Sequence, residues 1–482
     1  MNIKMIRYIL AKMMGVEALL LLLPAIVGFI YGENDEIIAF MIPIFILTLL
    51  FLIFGRKKPE KSTIYGRDGM IVVASAWILW SIFGALPFTI SGAIPSYIDA
   101  LFETVSGFTT TGSTILVDIE ALPQSMHFWR AFTHWIGGMG VLVFVMVLTG
   151  LDRKNTMHLM RAEVPGPEKD KLVPKMTDTA RILYGMYFVL TLVEVIFLLA
   201  GGMGIFDSVI HAFSTAGTGG FSNYAASVGH FNSVYIDYVI TVFMILFGVN
   251  FNLYYLLLLK DFKPVFKNEE LRTYLGIIAV AAIVITMNIS GQYESIGEAF
   301  RYAIFQIGAI ITTTGFATAD YCLWPMLSQC VLLMLMVCGA CASSTGGGIK
   351  VSRVIVIFKS IWSEIKQMVH PKSVNIIRVN GKKMNSDLVK NIYIYMISYI
   401  VILVASVLLI SINNMDFGTT FTSVLTTMNN VGPGIGGVGP TGSFASFSPF
   451  SKLVFCFDML AGRLEIFPFL MFLTAFRWRK SF

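Results

Sequence analysis

The sequence predicts an all-α integral membrane protein with ten transmembrane helices. Two stand at the N-terminus, and eight pair into four pseudo-repeated helix–loop–helix units around one axis. Three observations carry this. Of 482 residues, 56% are hydrophobic and only 13% charged, a composition outside the soluble globular range. Ten stretches approach or exceed the roughly 20 apolar residues that cross a hydrocarbon layer. They are 8–31, 37–55, 70–92, 127–150, 180–203, 235–258, 273–290, 325–358, 390–413 and 451–477. Uncharged runs of Thr, Ser, Gly and Asn recur four times at matching places between later stretches.

The first stretch is long and a second follows at once, so it is read as a retained span and not a cleaved signal. Basic residues follow every second stretch. Arg56, Lys57, Lys58, Lys61 and Arg67 follow the second; Arg153, Lys154, Arg161, Lys169, Lys171 and Lys175 follow the fourth. Lys260, Lys263, Lys267 and Arg272 follow the sixth; Lys366, Lys372, Arg378, Lys382, Lys383 and Lys390 follow the eighth; "RWRK" follows the tenth. By the positive-inside rule both termini and every basic loop are cytoplasmic, and the uncharged runs are external. The net charge of +6 is therefore a topology signal; the partner is a lipid bilayer and not nucleic acid. The expected division is residues 1–66 for the two N-terminal helices, then units at 67–160, 161–265, 266–372 and 373–482. The third unit has a broken second helix.

Each unit carries a short amphipathic segment before its uncharged run. Thr109-Thr110-Thr111-Gly112 follows "SYIDALFETVSG", and Gly217-Thr218-Gly219-Gly220 follows "FDSVIHAFSTA". Thr312-Thr313-Thr314-Gly315 follows "EAFRYAIFQIGAI", and Asn429-Asn430-Val431-Gly432 follows "DFGTTFTSVLTTM". Asp99, Asp207, Glu298 and Asp416 lie near the segment starts, where a carboxylate suits the helix dipole. A half-helix of about 12 residues cannot cross a bilayer but can enter and return. Non-helical backbone at membrane depth is tolerated where protein buries it or where it lines a wet cavity. Four such loops around one axis make that cavity a central pore.

Thr and Gly in this setting point to a dehydrated monovalent cation. Its transfer into low dielectric costs on the order of 20 kcal/mol in the idealised limit unless oxygens replace its water. Glycine permits the dihedrals that turn successive carbonyls inward. Thr and Ser hydroxyls add uncharged oxygens, whereas a carboxylate would hold the ion too long. Rings of carbonyls from four loops are how potassium channels select.

Two further features concern passage. "CGACASSTGGGIK" (338–350) interrupts the eighth stretch, and Gly346, Gly347 and Gly348 make a continuous helix improbable. The break is either an unwound loop beneath the ring or a site of close small-residue packing. Arg463 lies among apolar residues of the last stretch, facing a pore or held in a structural salt bridge. Glu465 does not share its helix face, and Lys350 and Arg353 read as markers of the cytoplasmic side. "GPGIGG" fits a dinucleotide pattern but does not follow a strand. Cys338-x-x-Cys341 lacks partners for metal or redox chemistry and reads as small packing residues.

In this order, "FETVSGFTTTGST", "HWIGGMG", "FSTAGTGGFS", "TTTGFAT", "SSTGGGIKV", "NNVGPGIG" and "GRLEIF" resemble the membrane subunit of Trk-type potassium uptake systems, in the Trk/Ktr/HKT superfamily. The resemblance spans nearly the whole chain, including two N-terminal helices typical of the Trk branch. It implies potassium uptake across a bacterial or archaeal cytoplasmic membrane, with no catalysis and no cofactor on this chain. It implies that Gly112, Gly220, Gly315 and Gly432 mark a potassium-selective filter completed by the residues before them. Gly112 stands where some sodium-permeable relatives have serine. The fourth run, with Asn and Val, departs from the Thr-rich pattern and puts fourfold equivalence in question. The resemblance also implies that Gly346–Gly348 form a gating loop assisted by Arg463. It further implies a homodimer and a cytosolic regulatory subunit of the TrkA type that binds NAD or ATP, with 151–180 and 360–389 as docking surfaces. A sodium-permeable or sodium-coupled transporter of the same superfamily is the near alternative. A membrane-embedded enzyme or receptor would need a charged catalytic cluster that the sequence does not contain.

Overall fold

The computed structural model describes residues 2–60, 65–140, 176–371 and 376–474. The second half of the fourth predicted span, the basic residues 153–175, and "RWRK" lie outside the described residues. Among the described residues the fold is almost wholly helical, with one two-residue-per-strand hairpin, Arg378–Val379 against Lys382–Lys383.

Apolar backbone without water must satisfy its polar groups internally, and helices do this along their own length. The N-terminal pair illustrates the punctuation. Helix Ile3–Leu20 is interrupted at Leu21 and resumes as Leu22–Tyr31. Pro24 has no N–H to offer the carbonyl one turn back. Gly32, left-handed at φ 75°, ends the second piece, and Glu33 N–H bonds Gly28 O at 2.9 Å. Helix Asn34–Phe54 then returns and packs along the first. Glu33 also reaches into the first repeated unit. Its carboxylate accepts from Gln124 N–H (2.7 Å), Ser125 N–H (3.0 Å) and the Ser125 hydroxyl (2.5 Å). It thereby caps helix Gln124–Gly138, whose own N-cap residue is Pro123 and makes no side-chain cap bond.

Among the described residues six helices are long and apolar enough to cross a membrane: Ile3–Tyr31, Asn34–Phe54, Gly66–Ile90, Ala180–Ala200, Glu269–Gln292 and Ser386–Asn413. They match the first, second, third, fifth, seventh and ninth predicted stretches. The last four are here called the lead helices of the units. Each lead helix is followed by a half-helix: Tyr97–Phe108, Ile205–Ala216, Ile296–Ile311 and Phe417–Asn429. At about 1.5 Å per residue these fall short of a 30 Å hydrocarbon core. Ser96, Ser295 and Asp416 cap three of them by accepting from the amide three residues on.

The second helix of each unit, here the exit helix, corrects the expectation of unbroken spans. Only the eighth stretch was expected to break. Instead helix Gln124–Gly138 ends after 15 residues, Val234–Phe247 after 14, Met326–Cys338 after 13 and Pro449–Arg463 after 15. The sixth stretch turns by 92° before Phe251–Leu258. The eighth resumes at Val351–Val369 and the tenth at Phe467–Thr474. Crowding accompanies the breaks. A Cβ on Gly137 would run into Phe108 O and one on Gly462 into Met428 O, while one on Gly248 would run into the Tyr274 hydroxyl and lie 2.9 Å from Thr312 Cγ2. The single glycines at 248 and 462 give no hint of this, whereas the long small-residue run of the eighth stretch does.

Aromatic packing sets half-helix 1 in place. Phe108 meets Trp80 and Trp129 edge-on at 5.6 and 5.9 Å, and Trp129 Nε1 donates to Gly84 O at 3.0 Å. Lys452 on exit helix 4 bonds Asp99 at the start of half-helix 1, 2.7 Å. The first and last units are therefore neighbours.

The shared cap yields a prediction. Glu33→Ala should destabilise the purified protein by about 1–3 kcal/mol, the cost of stranding buried helix-end donors, and Glu33→Gln by less. Thermal unfolding in detergent measures this; an Ala variant as stable as wild type would show that the N-terminal pair is not held through this cap.

Candidate functional site

Each half-helix ends the same way. In loop 1, Thr110 N–H bonds Gly107 O and Thr111 N–H bonds Ser106 O. The same two bonds recur as Thr218 to Thr215 and Gly219 to Ser214, Thr313 to Ile310 and Thr314 to Ala309, and Asn430 to Thr427 and Val431 to Thr426. This cap needs a left-handed residue, and Thr110, Thr218, Thr313 and Asn430 adopt it at φ 55°, 54°, 60° and 55°. Two residues on, Gly112, Gly220, Gly315 and Gly432 are again left-handed, at φ 80°, 76°, 79° and 100°. The main chain of the fourth loop thus matches the other three. Its departure from the Thr-rich pattern is confined to side chains.

The four loops close on one another. A Cβ on Gly112 would strike Gly219 O, one on Gly220 would strike Thr314 O, and one on Gly315 would strike Val431 O. One on Gly432 would lie 2.8 Å from Thr111 O. Each glycine therefore abuts the carbonyl just before the next loop's glycine, in the order 1, 2, 3, 4 and back to 1. All four glycines line one mouth, with Arg130 and Phe221 on its wall.

The hydroxyls behave differently from the expectation that they add oxygens to the ring. Thr109 Oγ1 donates to Val105 O (2.6 Å) and lies 2.8 Å from Thr111 Oγ1. Thr312 Oγ1 donates to Gly308 O (2.6 Å) and lies 2.7 Å from Thr314 Oγ1. These four hydroxyls brace their own half-helices, so the oxygens set against the neighbouring glycines are main-chain ones. Loop 4 replaces the bracing with amides. Asn429 Nδ2 donates to Tyr399 OH (2.9 Å) and Leu425 O (2.8 Å), while Asn430 Nδ2 donates to Thr111 Oγ1 (3.0 Å) and Met459 O (2.9 Å).

Sequence reasoning missed the buried pair behind loops 1 and 2. Arg130 and Glu103, 2% and 1% exposed, meet at 2.8 Å. Glu103 also accepts from Thr114 Oγ1 (2.9 and 3.0 Å) and Ile115 N–H (3.0 Å), just past Gly112. Arg130 donates to Ser222 O (3.2 Å), just past Gly220, and its guanidinium lies 4.1 Å from the Phe221 ring centre. One ion pair thus ties both loops. The signal was a charge inside a predicted span, the same signal that singled out Arg463.

Below the ring the eighth stretch is non-helical from Gly339 to Lys350. Gly346, Gly347 and Gly348 pack under loops 3 and 4. A Cβ on Gly346 would lie 2.8 Å from Thr312 O, and one on Gly347 would strike Asn429 O. Thr345 Oγ1 bonds Phe247 O at 3.2 Å, and Cys341 N–H bonds Gly248 O at 3.1 Å, tying the segment to exit helix 2. Arg463 bonds Thr345 O (2.8 Å), Gly137 O (2.5 Å) and Gly138 O (2.7 Å). Units 1 and 3 are opposite in the ring order, so this guanidinium, carried by unit 4, reaches across the underside. The reading of Lys350 and Arg353 as mere markers of the cytoplasmic side is corrected. They are 2% and 5% exposed; Lys350 Nζ bonds Gly346 O, and Arg353 pairs with Glu465 at 2.7 Å. Cys338 and Cys341 carry free thiols.

Long apolar helices around a closed ring of uncharged loops define an integral membrane protein of the transport class. The family model for TrkH, cation transport protein, matches residues 35–479. The chain is 34% identical to the Trk system potassium uptake protein TrkH of Salmonella typhimurium, over 95% of this chain and 96% of that protein. It is 32% identical to the Trk system potassium uptake protein TrkG of Escherichia coli, over 99% of each. The crystal structure of the potassium transporter TrkH from Vibrio parahaemolyticus matches with a TM-score of 0.87 at 31% identity, covering 99% of this chain and 100% of that one. The chain belongs to the TrkH family of cation transport proteins, which are transporters and not enzymes.

The buried pair yields a prediction. Glu103→Ala leaves Arg130 buried without its carboxylate and should cost about 3–5 kcal/mol of stability. Replacing both, Glu103→Leu with Arg130→Met, should cost less than the single change. Melting temperatures of the purified variants test this; a single variant as stable as wild type would remove the pair from the account.

Proposed function

We propose that this chain is the pore subunit of a potassium uptake system in a bacterial or archaeal cytoplasmic membrane. Ten spans, four of them broken, form two N-terminal helices (1–66) and four pore units at 67–160, 161–265, 266–372 and 373–482. Both termini are cytoplasmic. The observation that carries the reading is the cyclic contact of Gly112, Gly220, Gly315 and Gly432 with the carbonyl before the next glycine. It holds Thr111, Gly219, Thr314 and Val431, with the residues before them, at one level around one axis.

Potassium sheds water at this ring and takes main-chain oxygens in its place. The C-terminal ends of the four half-helices, which carry partial negative charge, favour the ion as it leaves inward. Gly346–Gly348 and Arg463 obstruct the path beneath, and Arg463 adds a positive charge that repels cations. A cytosolic regulatory subunit binding NAD or ATP moves this obstruction, and two copies of the chain form a homodimer. The regulator docks on the basic loops at 151–180 and 360–389. The TrkH and TrkG relatives are named as potassium uptake proteins, which supports potassium as the ion. Glycine at all four filter positions favours potassium over sodium.

Two predictions follow from the filter and the obstruction. Gly112→Ser places a side chain against Gly219 O and should reduce potassium-over-sodium discrimination by about tenfold or more, given roughly 1.4 kcal/mol per decade. The variant should fail to restore growth of an uptake-deficient cell on low potassium. Equal rubidium-to-sodium flux ratios in variant and wild type would argue against the filter. Arg463→Ala should raise flux about tenfold, the scale of its lost charge-assisted hydrogen bonds; unchanged flux in a well-expressed variant would argue against the obstruction.

A further inference from the structure

The triple glycine does more than fill space. Gly347 N–H donates to Thr313 Oγ1 at 2.6 Å, and Gly348 N–H donates to Asn429 O at 3.0 Å. Thr313 belongs to loop 3, two residues before Gly315. Asn429 closes half-helix 4. Both acceptors lie at the C-terminal ends of half-helices, where partial negative charge collects. Gly346 and Gly347 approach Thr312 O and Asn429 O closely enough to exclude a Cβ.

The left-handed position of each loop sharpens the point. A β-branched residue is disfavoured there, yet three of four loops carry Thr. In loop 1, Thr110 Oγ1 is buried and has no hydrogen-bond partner among the described residues, and in loop 2 Thr218 Oγ1 turns back to Gly217 O at 2.6 Å. Among the described residues, only in loop 3 does the hydroxyl at this position accept a hydrogen bond from the segment that interrupts an exit helix.

We infer that Thr313 is the positioning residue that latches the intramembrane loop to the filter, and that a monovalent cation leaving the filter competes with the loop's N–H groups for these oxygens. The inference rests on the potassium-uptake reading and adds its regulation. An N–H and a cation cannot both bind the same lone pairs at the Thr313 hydroxyl and the Asn429 carbonyl. With the ring empty, Gly347 and Gly348 satisfy these acceptors and the loop stays docked. With an ion below the ring, the docked loop loses its two bonds and is released. The ion thus favours its own exit.

The test uses the full chain in proteoliposomes, with rubidium as the probe ion. Thr313→Val removes the acceptor and keeps the shape; Thr313→Ser keeps the acceptor; Thr110→Val makes the same change where no latch exists. Thr313→Val should raise rubidium flux about 2- to 10-fold, the factor that one hydrogen bond's net worth corresponds to, with the rubidium-to-sodium ratio unchanged. Thr313→Ser, which keeps the acceptor, should raise flux less than Thr313→Val, and Thr110→Val should not raise flux. In wild-type protein, hydrogen exchange of peptides covering 339–350 should speed up in potassium chloride relative to choline chloride. Equal effects of Thr313→Val and Thr110→Val, a Thr313→Val variant that only loses selectivity, or exchange that potassium leaves unchanged would each overturn the latch. The uptake reading would survive those results. Wild-type protein that carries no rubidium would overturn the uptake reading itself, and the latch with it.

Discussion

Four contacts between a glycine and a neighbouring carbonyl set the dimensions of everything else in this molecule. Each requires a residue that is left-handed and has no Cβ, and only glycine meets both demands at little cost. Because each loop touches the next, no loop can shift alone. The half-helices must then end at one level, their caps must be alike, and the helices outside must leave room for backbone to approach backbone. Gly137 and Gly462 at the exit-helix breaks follow from this, since they meet the carbonyls of Phe108 and Met428 at half-helix ends, whereas Gly248 is crowded by the side chains of Tyr274 and Thr312.

The side chains around the ring break the fourfold likeness of the main chain. Opposite loops 1 and 3 are braced by Thr-x-Thr hydroxyl pairs, Thr109 with Thr111 and Thr312 with Thr314. Loop 2 has glycine at both such positions and leans on the Arg130–Glu103 pair through Ser222. Loop 4 leans on the amides of Asn429 and Asn430. The segment beneath comes from unit 3 alone, and the arginine that holds it comes from unit 4. The segment and the arginine thus break, below the ring, the likeness that the four loops keep in their main chain.

Much of this was legible in the sequence because membrane insertion writes strong signals. Apolar runs located six long helices, and the matched uncharged runs located the four loops and their half-helices. The triple glycine announced its own break. What stayed hidden depends on approach distances that no residue encodes by itself. Gly248 and Gly462 look like ordinary packing residues until the half-helix ends beside them are known. The hydroxyls of Thr109 and Thr312 looked like ion ligands because their type allows it, yet a carbonyl four residues back claims them. Glu103 and Arg130 were readable as charges within apolar surroundings, but not as partners 27 positions apart. Lys350 and Arg353 sat at the edge of a predicted span, where charge usually marks the aqueous side.

The account stands on main-chain oxygens taking the place of water around a bare cation at one ring. Crystals grown in rubidium or thallium salts test this directly through anomalous scattering. A peak on the axis between Gly112, Gly220, Gly315 and Gly432, absent when sodium replaces the heavier ion, is the expected result. Bound ions found only elsewhere in the molecule, with none at that ring, would contradict it.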